Sequence, residues 1–190
     1  MKPSLPSPKI LVIRGWRGVG KTKLCQRMVA AARAAGWDAA GLISPAKVVA
    51  GEKTGIEVED LRSGHRQLLA SCLSCELPGT RLGPWTFNDE MFAWGNQVLR
   101  SAVPCDILVI DELGPLEFDF GGGWAEGFQI LDSQLYHLAI VVIRPEYADR
   151  FLERWPDAVE CILSNYSEVD ALAARLINIF KNKNSLDFGA

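Results

Sequence analysis

The residues best suited to chemistry lie in one stretch, Gly15-Trp16-Arg17-Gly18-Val19-Gly20-Lys21-Thr22. The Gly-x-x-x-x-Gly-Lys-Thr spacing suits a chain of phosphates, which carries several negative charges and needs many donors at once. Glycines remove Cβ atoms, so successive backbone N–H groups can turn inward around the phosphates. A helix starting here adds partial positive charge at the same place. Lys21 supplies a full positive charge to the β- and γ-phosphates, and the Thr22 hydroxyl can ligate Mg²⁺. Trp16 and Arg17 occupy variable positions, where Arg17 either contacts phosphate or faces solvent. Lys23 is grouped with the same nucleotide-contacting run. The apolar run Ile10-Leu11-Val12-Ile13 before the loop predicts a strand, and Leu24, Met28, Val29 and Ala32 after it predict a helix.

A second chemical group follows the apolar run Ile107-Leu108-Val109-Ile110, which ends in Asp111-Glu112. A phosphate site of this kind needs an acid at the carboxyl end of a neighbouring strand to hold Mg²⁺ through its water shell, and Asp111 fits. Hydrolysis also needs a group that orients or deprotonates the attacking water. Glu112 is placed for that; the alternative is a solvated loop acid. Glu117, after the turn Leu113-Gly114-Pro115-Leu116, is either a further acid supporting the metal or an ordinary exposed glutamate.

Short apolar runs at 9–14, 38–44, 105–111, 138–143 and 158–163 predict strands, and 20–36, 88–103, 123–136, 146–154 and 167–182 predict helices. Continuous apolar strands alternating with helices point to an α/β three-layer domain around a mainly parallel sheet. In the last helix Val169, Leu172, Ala173, Leu176 and Phe180 share one stripe, and Ser167-Glu168-Val169-Asp170 resembles a capping box. Residues 44–70 break the alternation and predict short antiparallel strands joined by two turns, extending one sheet edge. Residues 71–87 carry Pro78, Gly79, Gly83 and Pro84 without periodicity and predict a long loop. The loop Gly121-Gly122-Gly123 reads as loose.

The chain has 190 residues, enough to bury about 70% of its unfolded surface in one domain. That domain is expected over 9–182, with a disordered lead-in at 1–8 and a flexible tail at 183–190. A net charge of −3 without a basic stripe disfavours a large nucleic-acid footprint. No apolar stretch approaches the roughly 20 residues that span a bilayer, and the N-terminus lacks the apolar core of a signal peptide. Five cysteines fit a reducing compartment, so a cytoplasmic location is expected. Cys72 and Cys75 have Cys-x-x-Cys spacing but no second ligand pair, and read as incidental thiols on a surface turn.

These segments together resemble one family, the THEP-type nucleoside-triphosphatases, also called cancer-related NTPases. The likeness rests on Gly15–Thr22, Gly41-Leu42-Ile43-Ser44, Gly55–Leu61 with Ser63-Gly64, Val109-Ile110-Asp111-Glu112-Leu113-Gly114-Pro115-Leu116-Glu117, and Asn165. It implies a P-loop NTPase with a RecA-like core that hydrolyses ATP, GTP and other nucleoside triphosphates slowly with Mg²⁺. Lys21 and Thr22 would then be the phosphate and metal residues, Asp111 the metal-site acid and Glu112 the base. Lys23 stands where the family often has a second Thr, and Asn165-Tyr166 where it commonly has Asn-Arg.

Further candidates come from loops. Arg81 could reach the γ-phosphate as an arginine finger, in cis or from a neighbouring subunit of a homo-oligomer. Arg144 ends the fourth strand at the edge where α/β ligands bind, where it could contact a base or ribose. Trp85 and Phe87 either stack on a base or, as expected, pack against the 88–103 helix. The acid pair suggests one strand between the loop strand and the Asp111 strand. Two other uses of the same phosphate site stay open: a nucleoside or small-molecule kinase, and a slow nucleotide-dependent switch.

Overall fold

The computed structural model describes residues 9–72, 77 and 79–178. The lead-in, the tail, Cys75, Pro78 and Phe180 lie outside the described residues.

The central strands are β1 (Lys9–Arg14), β2 (Ala39–Ile43), β8 (Cys105–Leu113), β9 (Tyr136–Ile143) and β10 (Val159–Ile162). They run parallel in the order β10-β1-β9-β8-β2, with β9 between the loop strand and the acid strand as expected. β1, β2, β8 and β9 are covered on both faces, so alternate residues feed two cores, while β10 at the sheet edge buries Cys161 and leaves Ile162 exposed. Leu11, Ile13, Ile107, Val109, Ile140 and Val142 meet α1 (Lys21–Ala34) and α6 (Val169–Leu176) on one side. Ile10, Val12, Leu108, Ile110, Val141 and Ile143 face the other side. There they meet residues of α2 (Asp89–Ala102), α4 (Glu126–Ser133) and α5 (Ala148–Arg154).

Beyond β2 the sheet turns antiparallel through β4 (Glu52–Asp60) and β5 (Arg66–Ser71), with β3 (Ala46–Val49) paired to β4. The stretch expected as a long loop instead contains a hairpin, β6 (Arg81–Leu82) and β7 (Trp85–Phe87). It adds to β5 through Ala70↔Phe87 and Ser71↔Thr86. Its strands are too short to show a period of two, which is why the sequence read as irregular. Phe87 stacks on Phe92 of α2, the packing role expected for it. Cys72 is exposed just after β5.

Several boundaries shift. β8 continues through Asp111 and Glu112 to Leu113, which pairs with Ile143 after a register break, so the acids lie within the strand. α4 is shorter than expected because the chain ahead of it turns at Gly121 and Gly123. The capping contacts expected from Ser167 sit two residues earlier. Asn165 Oδ1 accepts from the Ser167 N–H at 3.1 Å, and Glu168 Oε2 accepts from the Ser164 N–H at 3.0 Å.

The turn after β8 is α3 (Pro115–Phe118), and its glutamate is not an exposed acid but a buried one on the wall of the cavity that Asp111 also lines. Glu117 is buried; Oε2 accepts from the Gly114 N–H at 2.8 Å and Oε1 from the Trp124 N–H at 2.7 Å. Asn96 of α2 donates to the Gly123 carbonyl at 2.8 Å and accepts from the Glu126 N–H at 3.1 Å. With the Gly122 N–H donating to the Leu116 carbonyl at 2.8 Å, the triglycine segment is held rather than loose. Burial pushes the Glu117 pKa up to about 7 from an ordinary 4.5, outweighing the N–H donors that favour the anion.

Two predictions arise here. Gly41 has φ +99°, and a Cβ there would lie 2.2 Å from the Val109 carbonyl oxygen, so Gly41→Ala should cost about 2–4 kcal/mol in urea unfolding. Glu117 binds its proton more tightly folded than unfolded, so its contribution to stability is full below about pH 4.5 and is lost as pH rises through about 7. Glu117→Gln should flatten the corresponding fall in unfolding free energy. An unchanged slope between about pH 5 and 7 would count against the buried acid as its source.

Candidate functional site

The phosphate loop and the acid pair meet on the carboxyl edge of the parallel sheet, where the ends of β1, β2, β8 and β9 open into one cavity of about 540 Å³. That volume is in the ordinary range for a small-molecule site, roughly 300–1,000 Å³. Its wall includes Gly15, Trp16, Arg17, Thr22, Ser44, Asp111, Glu112 and Arg144.

β1 delivers the chain to the glycine-rich loop, which passes into α1 at Gly20. This residue is the α1 N-cap at φ 102°, a conformation that L side chains rarely adopt, and its missing Cβ leaves room for Val169 and Tyr166. No side chain caps the helix start, so its first N–H groups remain open to an anion. Lys21 follows and is only 6% exposed. Its ammonium donates to the Gly15 carbonyl at 2.7 Å and the Trp16 carbonyl at 3.1 Å, and lies 3.3 Å from Glu112 Oε2.

β8 carries the acids. Asp111 is 1% exposed and accepts from the Ser44 N–H at 3.0 Å, while the Ser44 hydroxyl donates to the Asp111 carbonyl. Burial raises the Asp111 pKa to about 6; the Ser44 N–H and the Thr22 hydroxyl oppose that rise, and the Glu112 charge adds to it. A buried carboxylate held this way has oxygen lone pairs suited to a hard cation. Among the described residues no three His, Cys, Asp or Glu side chains gather into a metal cage. Asp111 and the neighbouring Thr22 hydroxyl are oxygen donors that could hold a hard cation such as Mg²⁺. Glu112 is partly open, and Arg144 Nε donates to its Oε1 at 2.8 Å. Glu112 thus lies between two cations, one on each oxygen.

Several residues sit differently from their sequence-based roles. Arg81 is exposed on β6 and does not line the cavity, and neither does Lys23, exposed in the first turn of α1. Trp16 is 69% exposed at the cavity rim. Arg17 turns to Trp85, its guanidinium carbon 4.9 Å from the ring centroid. Trp85 is buried as expected, yet it also lines the cavity. Arg144 joins the wall mainly through Glu112.

Sequence reasoning missed Lys53. It lies on β4, and its ammonium is 5.3 Å from the same Trp85 centroid, facing the cavity. Partial desolvation and the nearby Arg17 lower its pKa, while Glu112 and Asp111 act the other way. No motif surrounds this lysine. The only available signal was the predicted antiparallel extension, which folds back beside β2 and brings Lys53 to the cavity.

Comparison with known proteins agrees with this architecture. A family model described as NTPase matches residues 10–167. The nucleoside-triphosphatase THEP1 of Thermococcus kodakarensis is 30% identical over 144 residues, which cover 74% of this chain and 79% of that one. The THEP1 protein of Methanothermobacter thermautotrophicus is 34% identical over 111 residues, 56% of this chain; the match spans only 61% of that relative's length. The solution structure of a human cancer-related nucleoside triphosphatase superposes with a TM-score of 0.70 at 21% identity, covering 91% of this chain and 97% of that one. It shows the shared P-loop fold. One family match takes in the glycine-rich loop, the Asp111-Glu112 strand and Asn165 together, and with it this chain belongs to the NTPase family, alongside the THEP1 nucleoside-triphosphatases.

Proposed function

We propose that the protein is a cytoplasmic, Mg²⁺-dependent hydrolase of nucleoside triphosphates, ATP and GTP among them, releasing the diphosphate and inorganic phosphate. The observation that carries this reading is the contact of the Lys21 ammonium with Glu112, a carboxylate at the phosphate lysine rather than at a distant acceptor pocket. The names of the relatives support the same reaction class.

The loop Gly15–Thr22 cradles the phosphates with backbone N–H groups, and Lys21 shifts from Glu112 to the β- and γ-oxygens. The phosphate chain gives that ammonium a stronger electrostatic partner than one carboxylate. Glu112, still held through Oε1 by Arg144, is then free at Oε2 to take a proton from water. The water oxygen forms a bond to the γ-phosphorus as the bond to the β-bridging oxygen breaks, and the proton leaves on Glu112. The leaving diphosphate stays against Lys21 and the loop. Asp111 and Thr22 would hold Mg²⁺, which when bound supplies positive charge against the phosphate oxygens.

Glu112→Gln should leave triphosphate affinity within a few-fold of wild type while lowering turnover about 100- to 1,000-fold, read by phosphate release and by equilibrium binding. Hydrolysis at the wild-type rate would sink the assignment of the base. Lys21→Ala should weaken binding and turnover together, because it removes charge used in both the bound and the transition state.

A further inference from the structure

Arg17 and Lys53 come from distant parts of the chain, the phosphate loop and the antiparallel extension, and converge on one ring. Their cationic groups lie 4.9 and 5.3 Å from the Trp85 centroid. Neither forms a salt bridge with a carboxylate among the described residues. The acids nearby are already engaged: Asp111 by Ser44 and Thr22, Glu112 by Lys21 and Arg144. Two like charges beside one aromatic ring repel each other, and the ring is a weak partner for them. Such a pair at a cavity mouth awaits an anion.

The position of Lys53 says which part of an anion it meets. It lines the same cavity as Arg17, Asp111 and Glu112, and its electrostatic neighbours there include Lys21, the groups to which the hydrolase reading gives the γ-phosphate, the metal and the attacking water. Arg81, the sequence-based candidate for this task, is exposed on β6 and away from the cavity wall.

We propose that Lys53 is the cation that contacts the γ-phosphoryl group, leaving Trp85 for the γ-oxygens when a triphosphate enters, with Arg17 as its companion from the phosphate loop. Trp85 is the resting place for both cations. The extension beyond β2 thereby supplies in cis the charge that a finger from another subunit would otherwise supply. This assignment rests on the nucleoside-triphosphatase reading, but it makes a separate claim about which phosphate is contacted. A diphosphate reaches the loop and Lys21 and leaves Lys53 on Trp85. A triphosphate recruits it.

The full chain and its Lys53→Ala and Lys53→Arg variants decide the matter through kcat and through equilibrium affinity for a nucleoside diphosphate and a non-hydrolysable triphosphate. Lys53→Ala should lower kcat about 100-fold. It should leave diphosphate affinity within about twofold and abolish the preference for triphosphate over diphosphate. Lys53→Arg should recover most of both losses. Tryptophan emission, taken as the difference between wild type and Trp85→Phe, should change with the triphosphate analogue and not with the diphosphate. A Lys53→Ala protein that keeps wild-type kcat and triphosphate preference overturns the proposal. So does one that loses diphosphate and triphosphate affinity equally, since that marks a structural role. If wild type binds nucleotide without hydrolysing it, the hydrolase reading fails, and the triphosphate preference still tests Lys53 by itself.

Discussion

The structure depends on keeping a nearly buried ammonium satisfied at the end of an apolar sheet. Lys21 has lost most of its water, and a charge so placed needs partners at once. Two loop carbonyls and Glu112 supply them. Each partner has its own structural requirement. The carbonyls of Gly15 and Trp16 point inward only because the glycine-rich loop wraps back on itself. Glu112 is within reach only because β8 runs parallel to β1 with a single strand between them. The same arrangement leaves Asp111 buried beside Thr22, so the two acids differ in exposure and partners although adjacent in sequence.

This compensation is suited to exchange. Glu112 is shared by Lys21 and Arg144, so giving up one partner does not leave it bare. Arg17 and Lys53 rest against Trp85 without a salt bridge to a carboxylate among the described residues, contacts weak enough for a polyanion to replace. The surroundings are more rigid. Glu117 ties the turn after β8 to Trp124, and Asn96 ties that segment to α2. Exchangeable charges in a pinned frame are what a phosphate site needs if it is to rearrange without the sheet moving.

Sequence patterns were most legible where chemistry and backbone demand the same local residues. The phosphate loop, the central strands and the acid pair could be read because glycines, apolar runs and strand-end carboxylates are each constrained within a few neighbours. The hairpin at Arg81–Phe87 was illegible because strands of two and three residues carry no usable period. Glu117 stayed open between a metal-supporting acid and an exposed glutamate because its partners, one of them Trp124, are chosen by how the turn packs. Arg81 drew attention as a phosphate ligand because it lies in a segment rich in loop signals, whereas Lys53 was not singled out and lies in β4.

By itself the sequence determined a phosphate loop between a strand and a helix, an acid pair on a second buried strand, and an α/β sheet with an antiparallel extension. Those features follow from local propensity and short-range periodicity. Only the tertiary structure decided that Lys53 and Arg17 share Trp85, that Arg144 holds Glu112, that Glu117 is a buried clamp, and that Arg81 stands apart. These contacts join residues tens of positions apart. Their geometry is set by strand order, register and the fold of the extension over the parallel sheet, none of which a local pattern encodes.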